Sequence, residues 1–396
     1  MSELLDELLS KPVGPSLPTR QVDPDRDFTR AIEVTGDAAE VTVRGPEDMD
    51  PQGSAAACLE AQGLDPAEWE VKGFRSSEWT MANGELGLST RFTFTRRPEA
   101  ASSARPDVAE LLSLFDDFDG MTPRMDDHGE WSFVIALGDT QFGKIDGDGV
   151  EGSVLRAIEC INRAVELLAE YRRRFTIGHV HLAFLGDHIE GFVSQGGANS
   201  WRTQLTLTEQ IRLTRRLMAY AIRKIAPMVS RLTVAAVPGN HGEAVRPAGK
   251  GVTRYDDSHD TEALVSVDEA LRLAGDRYDH VEVFVPGTDE LTVVVECSGT
   301  VVAHAHGHQW RAGRHFDWWR GQAFNKASAM HTADLLLAGH LHHEHVDTDG
   351  ARTFVQVPAM ESESTWWRHR TGTVGAPGLM VLVTKGGQTP IKEVVR

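Results

Sequence analysis

Five short polar blocks in this 396-residue sequence each follow an apolar run and carry side chains that can bind metal ions. The blocks read GDTQ at 138–141, GD at 186–187, GNH at 239–241, HGH at 306–308 and GHLH at 339–342. Carboxylate, amide and imidazole groups without a thiolate suit Mn²⁺, Fe or Zn²⁺ better than a soft metal. A single Asp after a strand is usually a turn former, but five such blocks in succession predict a metal site.

The apolar runs before the blocks predict strands. WSFVIALGD, VHLAFLGD and RLTVAAVPGN read as strands, and HVEVFVP, ELTVVVECSG, TVVAHAHG, DLLLAGH, RTFVQVP and LMVLVT predict further ones. The carboxyl ends of strands in an open α/β sheet gather at one edge and form a ligand crevice. We therefore expect Asp139, Asp187 and Asn240 to converge at such an edge.

Helical periodicity lies between the first strands. Apolar residues recur at helical spacing over 154–174. A second helix is predicted from near Thr206, where Thr206 and Glu209 can form a capping box, and a third over 261–273. This alternation predicts an α/β core that takes on more consecutive strands toward its end.

The rest of the chain divides at changes of composition. Residues 1–25 are rich in Pro, Asp and Arg and are expected to be loosely ordered. Residues 26–97 predict a small α+β accessory domain, with a short helix in SAAACLEAQGL and strands separated by an Asn83-Gly84 turn. Residues 98–129 have the composition of a linker, and 130–396 form the main domain.

Composition excludes several classes of protein. The hydrophobic fraction of 41% and charged fraction of 25% are typical of a globular protein. No stretch predicts a membrane span or a secretory signal, and Cys58, Cys160 and Cys297 read as separate thiols, so we expect a cytoplasmic location. A net charge of −18 argues against coating nucleic acid by bulk electrostatics but leaves a local basic groove open.

The blocks together resemble the calcineurin-like metallophosphoesterases over about residues 130 to 385, including phage-encoded and SbcD-type phosphoesterases. The resemblance implies a four-layer α/β/β/α sandwich with two metal ions at the edge of the sheets. By this resemblance, one ion would take Asp139, Gln141, Asp187 and His342, and the other Asp187 as a bridge, Asn240, His306 and His340. His241 would assist the leaving group. His308 is the alternative to His306, and the roles of Glu190 and Glu243 are left open.

Gln141 departs from the family pattern, in which most members have His at this position. An amide oxygen is a weaker donor than an imidazole, so one metal should bind more weakly than the other. The Asp-x-Gln variant resembles a class of manganese-dependent nucleotide-diphosphate hydrolases. It favours Mn²⁺, with Zn, Fe or Mg as alternatives.

Aromatic and basic residues near the last two blocks indicate a substrate surface. HGHQWRAGRHFDWWRGQ follows the fourth block and ESESTWWRHRTG follows the fifth. Exposed Trp beside Arg can stack on bases and bind phosphate, so Arg314, Trp319, Trp366 and Arg368 are predicted to contact substrate. The alternative is that these segments pack at the rim of the domain or at an oligomer interface.

Three functions are compatible with this sequence. The first is a two-metal phosphodiesterase that acts on nucleic acid by attack of a metal-activated water, with Asp187 and His241 in catalytic roles. The second is a phosphohydrolase of small nucleotides or nucleotide diphosphates. The third is a non-catalytic scaffold, against which the near-complete ligand set counts. We expect no membrane partner, and a homodimer is one alternative for the oligomeric state.

Overall fold

The computed structural model describes residues 31–35, 38–45, 51–60, 63–66, 69–80, 86–96, 105–116, 129–192, 203–244, 254–325, 329–362, 372 and 375–396. The chain forms two compact units, Met1–Ala104 and Arg105–Arg396. The predicted Asn83-Gly84 turn and the first thirty residues lie outside the described residues.

The first unit contains a four-stranded antiparallel sheet and a helix. The strands are β1 (Ala31–Thr35), β2 (Ala38–Gly45), β3 (Trp69–Thr80) and β4 (Leu86–Arg96), in the order β1-β2-β4-β3. Helix α1 spans Pro51–Glu60. Leu59 of α1, Trp69 of β3 and Phe94 of β4 are buried in one apolar cluster, which packs the helix against the sheet. The predicted short helix is present as α1, and the two strands predicted on either side of the Asn83-Gly84 turn are present as β3 and β4, whereas β1 and β2 were not predicted.

The second unit contains a six-stranded sheet in the order β15-β14-β5-β6-β7-β8. Its strands are β5 (Trp131–Leu137), β6 (Ile177–Phe184), β7 (Arg231–Ala236), β8 (Val281–Phe284), β14 (Leu379–Lys385) and β15 (Gln388–Val395). Strands β5 to β8 are parallel neighbours, whereas β14 runs antiparallel to both β5 and β15. The carboxyl ends of β5, β6 and β7 therefore lie side by side.

A second sheet of five strands has the order β12-β13-β11-β10-β9. The strands are β9 (Val293–Cys297), β10 (Thr300–His304), β11 (Leu335–Ala338), β12 (His345–Asp349) and β13 (Arg352–Gln356). Strands β10 and β11 are parallel, so the histidine blocks that follow them also emerge at one edge.

Five helices accompany these sheets in the described part of the second unit: α2 (Val108–Ser113), α3 (Gly149–Tyr171), α4 (Leu207–Ile225), α5 (His259–Leu273) and α6 (His315–Asn325). The predicted capping box of α4 is present, and the Glu209 carboxylate accepts the Thr206 N–H at 2.9 Å. Three-residue or four-residue 3-10 turns also occur at Leu114–Asp116, Ala226–Met228, Asp276–Tyr278 and Ala329–Thr332.

Apolar clusters lie on both faces of the sheets. One cluster combines β5 and β6 with α3, α4 and α5 through residues such as Ile161 and Leu217. Another combines residues of both sheets, including Val134 of β5 and Leu337 of β11. A third packs α6 against the five-stranded sheet. The predicted α/β class is confirmed as a mixed α/β arrangement with several sheets and helices.

Part of the expected linker has regular structure. Within 98–129, α2 and the turn after it place Leu111 and Phe115 in the core with 3% and 1% exposure. The segment was predicted to be a linker because a short run rich in Ala, Ser and Pro precedes this helix. Strands β12 and β15 and helix α6 were also not predicted, since none of them has a clean apolar period. Among the described residues, no helix is both long and apolar enough to cross a membrane.

Candidate metal centre

The polar blocks meet where the ends of the two sheets adjoin. The loops after β5 and β6 are joined by backbone hydrogen bonds, including Asp139 N–H to Gly186 O and Gln141 N–H to Asp187 O, both 3.0 Å. The second sheet is tied to them by two contacts. His306 Nδ1 donates to Leu185 O at 2.7 Å, and the His340 N–H donates to Asp139 Oδ2 at 2.9 Å. The expected convergence of the blocks is therefore present.

Three predicted ligands form a compact group, which we call the Asp187 cluster: Asp187, His306 and His340. One ligand atom from each of them lies within 4.8 Å of the others. His306 Nε2 is 2.9 Å from Asp187 Oδ2, and the rings of His306 and His340 are 5.0 Å apart at 69°. Ligands about 2.1 Å from one ion are themselves roughly 3.0–3.4 Å apart, so small adjustments would bring these atoms around a cation.

The neighbouring Asn240 supports a cation at this place. Its Oδ1 atom is buried and has no hydrogen-bond partner among the described residues. A buried amide oxygen without a partner is costly, and a divalent cation would satisfy it. The donor set of the cluster therefore fits a borderline or hard divalent metal.

His308 lies outside the cluster. Its ring is 5.5 Å from that of His306 and 6.2 Å from that of His340. His306 is fully buried and directly contacts Asp187. The structure therefore places His306, rather than His308, beside the Asp187 carboxylate.

The other predicted ligands form a chain of ion pairs. His342 Nε2 is 3.3 Å from Asp139 Oδ1, and its Nδ1 is 3.0 Å from Glu361 Oε1. The same Glu361 oxygen is 2.9 Å from Lys144 Nζ. Asp139 and Glu361 are buried, with 0% and 3% exposure. Two cationic side chains thus neutralise these carboxylates within the protein itself.

Gln141 is held by the same chain. Lys144 Nζ donates to Gln141 Oε1 at 3.2 Å, which directs the amide nitrogen toward His241 Nε2 at 3.4 Å. An ammonium therefore contacts the oxygen that was predicted to bind metal. A cation at this position would have to take that oxygen from Lys144.

Backbone conformation marks the same residues. Five predicted ligands have positive φ angles: Asp139 (52°), Gln141 (38°), Asp187 (52°), His340 (71°) and His342 (58°). Non-glycine residues adopt this conformation rarely, because it crowds Cβ against the backbone. Such strain concentrates at functional sites, where the surrounding fold holds it in place.

The glycines of the blocks permit close approach of the loops. A Cβ on Gly239 would lie 2.0 Å from Asp187 Oδ1 and 2.2 Å from Asp187 N. A Cβ on Gly186, where φ is +85°, would lie 2.7 Å from Gly239 N. The recurrent Gly-Asp and Gly-Asn pairs therefore place the ligands next to glycines that allow the loops after β6 and β7 to touch.

Asp260, in the first turn of α5, anchors both loops. Its Oδ2 accepts the N–H groups of Asp187 at 3.0 Å and Gly239 at 2.9 Å, and its Oδ1 accepts the His188 N–H at 2.9 Å. The carboxylate is completely buried. Three donors on one buried carboxylate fix the backbone from which Asp187 and Asn240 project.

His241 stands beside the Asp187 cluster. Its backbone N–H donates to Asp187 Oδ1 at 2.7 Å, and its ring Nδ1 donates to the Glu190 carbonyl at 3.1 Å. Because that carbonyl can only accept, Nδ1 carries a proton and Nε2 faces Asp187 at 3.9 Å. The Glu190 carboxylate is 3.4 Å from Nδ1, so Glu190 orients the ring. The pKa of Glu243 is raised by burial and by the Asp187 charge.

Several side chains of the centre have strongly shifted pKa values. Burial alone would lower the pKa of His306, but Asp187 outweighs it and raises the value to about 9. In the same way, burial is outweighed by Asp139 and then Glu361 at His342, whose pKa is raised to about 10. Burial dominates at His340 and lowers its pKa to about 4. The pKa of Asp187 is depressed, because His306 and His241 outweigh its burial.

The predicted substrate residues differ in their exposure to solvent and in whether they lie among the described residues. Trp319 has 1% exposure, and its Nε1 donates to Met330 O at 3.0 Å in the core beneath α6. It has no free face, so its assignment to substrate stacking is wrong; the adjacent Trp318 is partly exposed. Arg314 is exposed and pairs with Asp317 at 2.6 Å. Trp366 and Arg368 lie outside the described residues.

Three residues that contact the predicted ligands were not themselves predicted from the sequence: Lys144, Asp260 and Glu361. Lys144 follows Gln141 by three residues, a spacing that offered a signal. Asp260 comes directly after Ser258-His259, at the start of a helix. A carboxylate at this place is ordinarily explained by its favourable interaction with the helix dipole. Glu361 follows the β13 strand by five residues and had no distinguishing pattern.

Comparison with known proteins adds structural similarities only. No protein-family model matches the sequence, and no curated protein matches it. Among solved structures, a predicted phosphoesterase from Streptococcus pneumoniae is 12% identical with a TM-score of 0.25, covering 64% of this chain and 84% of that one. Vacuolar Protein Sorting 29 from Cryptosporidium parvum is 14% identical with a TM-score of 0.31, covering 67% and 97%. Vps29 from Entamoeba histolytica, complexed with zinc, is 13% identical with a TM-score of 0.28, covering 66% and 96%.

Proposed function

We propose that this chain is a divalent-metal-dependent phosphoesterase of the calcineurin-like type that hydrolyses phosphodiester bonds of nucleic acid. The observation that carries the proposal is the Asp187 cluster, with the unpartnered Asn240 oxygen beside it and His241 at its rim. The apolar clusters on both faces of the sheets support the four-layer arrangement that this type of enzyme implies.

The residues divide into holding and positioning roles. Asp187, Asn240, His306 and His340 would hold one cation, and Asp139, Gln141 and His342 with Asp187 would hold a second. When bound, such ions supply Lewis-acid activation of the phosphoryl group and a nucleophilic water at neutral pH. Glu361 orients His342 by accepting from its Nδ1, which leaves Nε2 directed at Asp139.

His241 is proposed to serve the leaving group. The Glu190 carbonyl fixes a proton on Nδ1 and orients the ring, so Nε2 is the atom that faces the Asp187 cluster. The side chain is 16% exposed, so a substrate phosphate can reach it. A proton on Nε2 would be donated to the departing oxygen as the ester bond breaks.

The two cation positions are proposed to differ in affinity. Among the described residues of the Asp187 cluster, the only positive charge is that of a protonated histidine. At the other position, Lys144 already contacts Gln141 and Glu361. A cation at Asp139 and His342 would therefore bind more weakly. We propose Mn²⁺ as the ion, because an amide oxygen is better tolerated by Mn²⁺ than by a softer metal.

A small nucleotide is the second candidate substrate. The Asp139-x-Gln141 pair is present at the centre, and the burial of Trp319 removes one predicted stacking surface for a polymer. The exposed Arg314 is retained as a phosphate contact in either case.

One activity panel separates these candidates. Chelator-treated protein is supplied with Mn²⁺ and given single-stranded DNA, double-stranded DNA, RNA, a nucleotide diphosphate and bis(4-nitrophenyl) phosphate. Release of nucleotides from a polymer supports the nuclease, and Arg314→Ala should raise KM for polymer more than for bis(4-nitrophenyl) phosphate. Turnover of the nucleotide diphosphate with none of any polymer would replace the nuclease by the small-nucleotide hydrolase.

A further inference from the structure

A second histidine-carboxylate group, separate from the residues of the proposed catalytic centre, lies between α6 and β12. It consists of His315, His345 and Asp347, whose ligand atoms all lie within 4.8 Å of one another. His315 begins α6, and the other two residues lie on β12, two positions apart and so on the same face. We call this the His315 cluster.

The geometry of this group closely parallels that of the Asp187 cluster. His315 Nε2 is 3.0 Å from Asp347 Oδ2, against 2.9 Å between His306 Nε2 and Asp187 Oδ2. The His315 and His345 rings are 5.7 Å apart at 66°, close to the arrangement of the two histidines in the first group. A separation of about 3.0–3.4 Å is that of two ligands on one ion.

The buried part of the cluster is held in place before any ion binds. His315 has 4% exposure, and its ring stacks on Phe354 at 4.0 Å and 12°. Phe354 is the direct cross-strand partner of Asp347. Asp347 Oδ1 accepts the Thr348 N–H at 2.8 Å, which leaves Oδ2 directed at the histidine. Two ligands are thus preorganised, and the exposed His345 ring can rotate to complete the set.

We propose that the His315 cluster binds a Zn²⁺ ion through two imidazoles and one carboxylate, with water in the remaining position. This donor set is typical of zinc, copper or nickel and unlike that of calcium or magnesium. The ion fastens the first residue of α6 to the edge strand β12. Helix α6 follows the 306–308 block, and β12 follows the 339–342 block. The site therefore stabilises the two segments that continue from these blocks. This inference does not depend on the proposed catalytic activity.

The test counts bound zinc in tag-free protein in which the Asp187 cluster is disrupted. The Asp187→Asn/His340→Ala variant is stripped with a chelator, loaded with Zn²⁺, freed of excess metal and measured by inductively coupled plasma mass spectrometry. About one Zn²⁺ per chain should remain, and adding either His345→Ala or Asp347→Asn should remove it. His343→Ala, an exposed histidine two residues from His345, is the matched control and should keep the ion.

A second readout guards against loss of folding. Circular dichroism checks each variant, and Zn²⁺ should raise the Tm of the background variant but not after His345→Ala. If the background variant does not fold, the wild type is compared with His345→Ala, which should bind about one Zn²⁺ fewer. Zinc that is absent from the folded background variant, or that is retained equally after His345→Ala and Asp347→Asn, overturns the proposal.

Discussion

His241 contacts Asp187 twice: its backbone N–H donates to Oδ1 at 2.7 Å, while its ring Nε2 stands 3.9 Å from Oδ2. The backbone contact can be kept by any substituted residue other than proline, because the N–H does not belong to the side chain. The ring can therefore be removed without dismantling the carboxylate that it faces, which separates a catalytic role from a metal-holding one.

We predict that His241→Gln lowers kcat by about 10²–10⁴-fold, because one positioned proton donor is lost. Mn²⁺ binding and KM should change little. The loss should be smaller for bis(4-nitrophenyl) phosphate, whose leaving group needs less protonation, than for an alkyl or nucleotide diester. Steady-state kinetics on both substrates measure this. An equal loss on both, accompanied by reduced metal binding, would assign His241 to the metal site instead.

Removal of the Glu361 charge should weaken the second cation position. Glu361→Gln keeps the size of the side chain but no longer balances His342 and Lys144. We expect the Mn²⁺ concentration for half-maximal activity to rise by about 10–100-fold, with KM for substrate unchanged. The matched control is Glu344→Gln, an exposed residue. A fall in kcat at saturating Mn²⁺ without a shift in metal dependence would show that Glu361 acts elsewhere.

Asp260 should contribute strongly to stability. Asp260→Asn replaces one accepting oxygen by a donor, which leaves buried N–H groups of the Asp187 and Gly239 loops without a partner. We expect the free energy of unfolding to fall by about 2–4 kcal/mol, measured by urea denaturation. Glu262→Gln, exposed on the same helix, should change it by less than about 0.5 kcal/mol. Equal stabilities for the two variants would contradict the anchoring role.

The stability of the fold should fall in weak acid through His179. Burial, together with the nearby Arg231 charge, lowers the pKa of this histidine to about 3. Its ring is hydrogen-bonded to Ser132 at 3.1 Å and Thr233 at 2.7 Å, and His181 shares that threonine. The unfolded chain takes up a proton on this ring near pH ~6.5, whereas the folded chain does not. The free energy of unfolding therefore falls as the pH drops from about 6.5 toward 3.

Between pH 7 and pH 5 this one group should cost the wild type about 2 kcal/mol of unfolding free energy. The free energy of unfolding of His179→Gln should depend less on pH by that amount, while His181 continues to contribute its own pH dependence. Urea denaturation of both proteins at the two pH values gives the difference. Identical slopes would mean that His179 is protonated in the folded protein.

The sequence predicted those parts of the site that follow from strand ends. Asp139, Asp187 and Asn240 follow the ends of three neighbouring parallel strands by two, three and four residues. Recognising these strands from their apolar runs was therefore sufficient to bring the three side chains together. Of the two histidines after β10 that the sequence offered, the structure places His306 against Asp187, because it is the one nearer the strand end.

Other features depend on tertiary packing that no local pattern encodes. Glu361 meets Lys144 across 217 residues of sequence, and Asp260 meets Asp187 across 73. Of the adjacent Trp318 and Trp319, at least one had to leave the core, but which one is set by the way α6 lies on β10 and β11. Gln141 was expected to meet a metal; its contact with Lys144 depends on the turn at 141–144.

The most direct test of the central claim is Mn²⁺-dependent hydrolysis of bis(4-nitrophenyl) phosphate by chelator-stripped protein. Wild type is compared with Asp187→Asn and with Asp276→Asn, an exposed control. We predict that Mn²⁺ restores turnover to wild type and to the control, whereas the Asp187 variant stays at least about 10³-fold slower. Folded, Mn²⁺-loaded wild type with no turnover, or an Asp187 variant as active as wild type, would contradict the account.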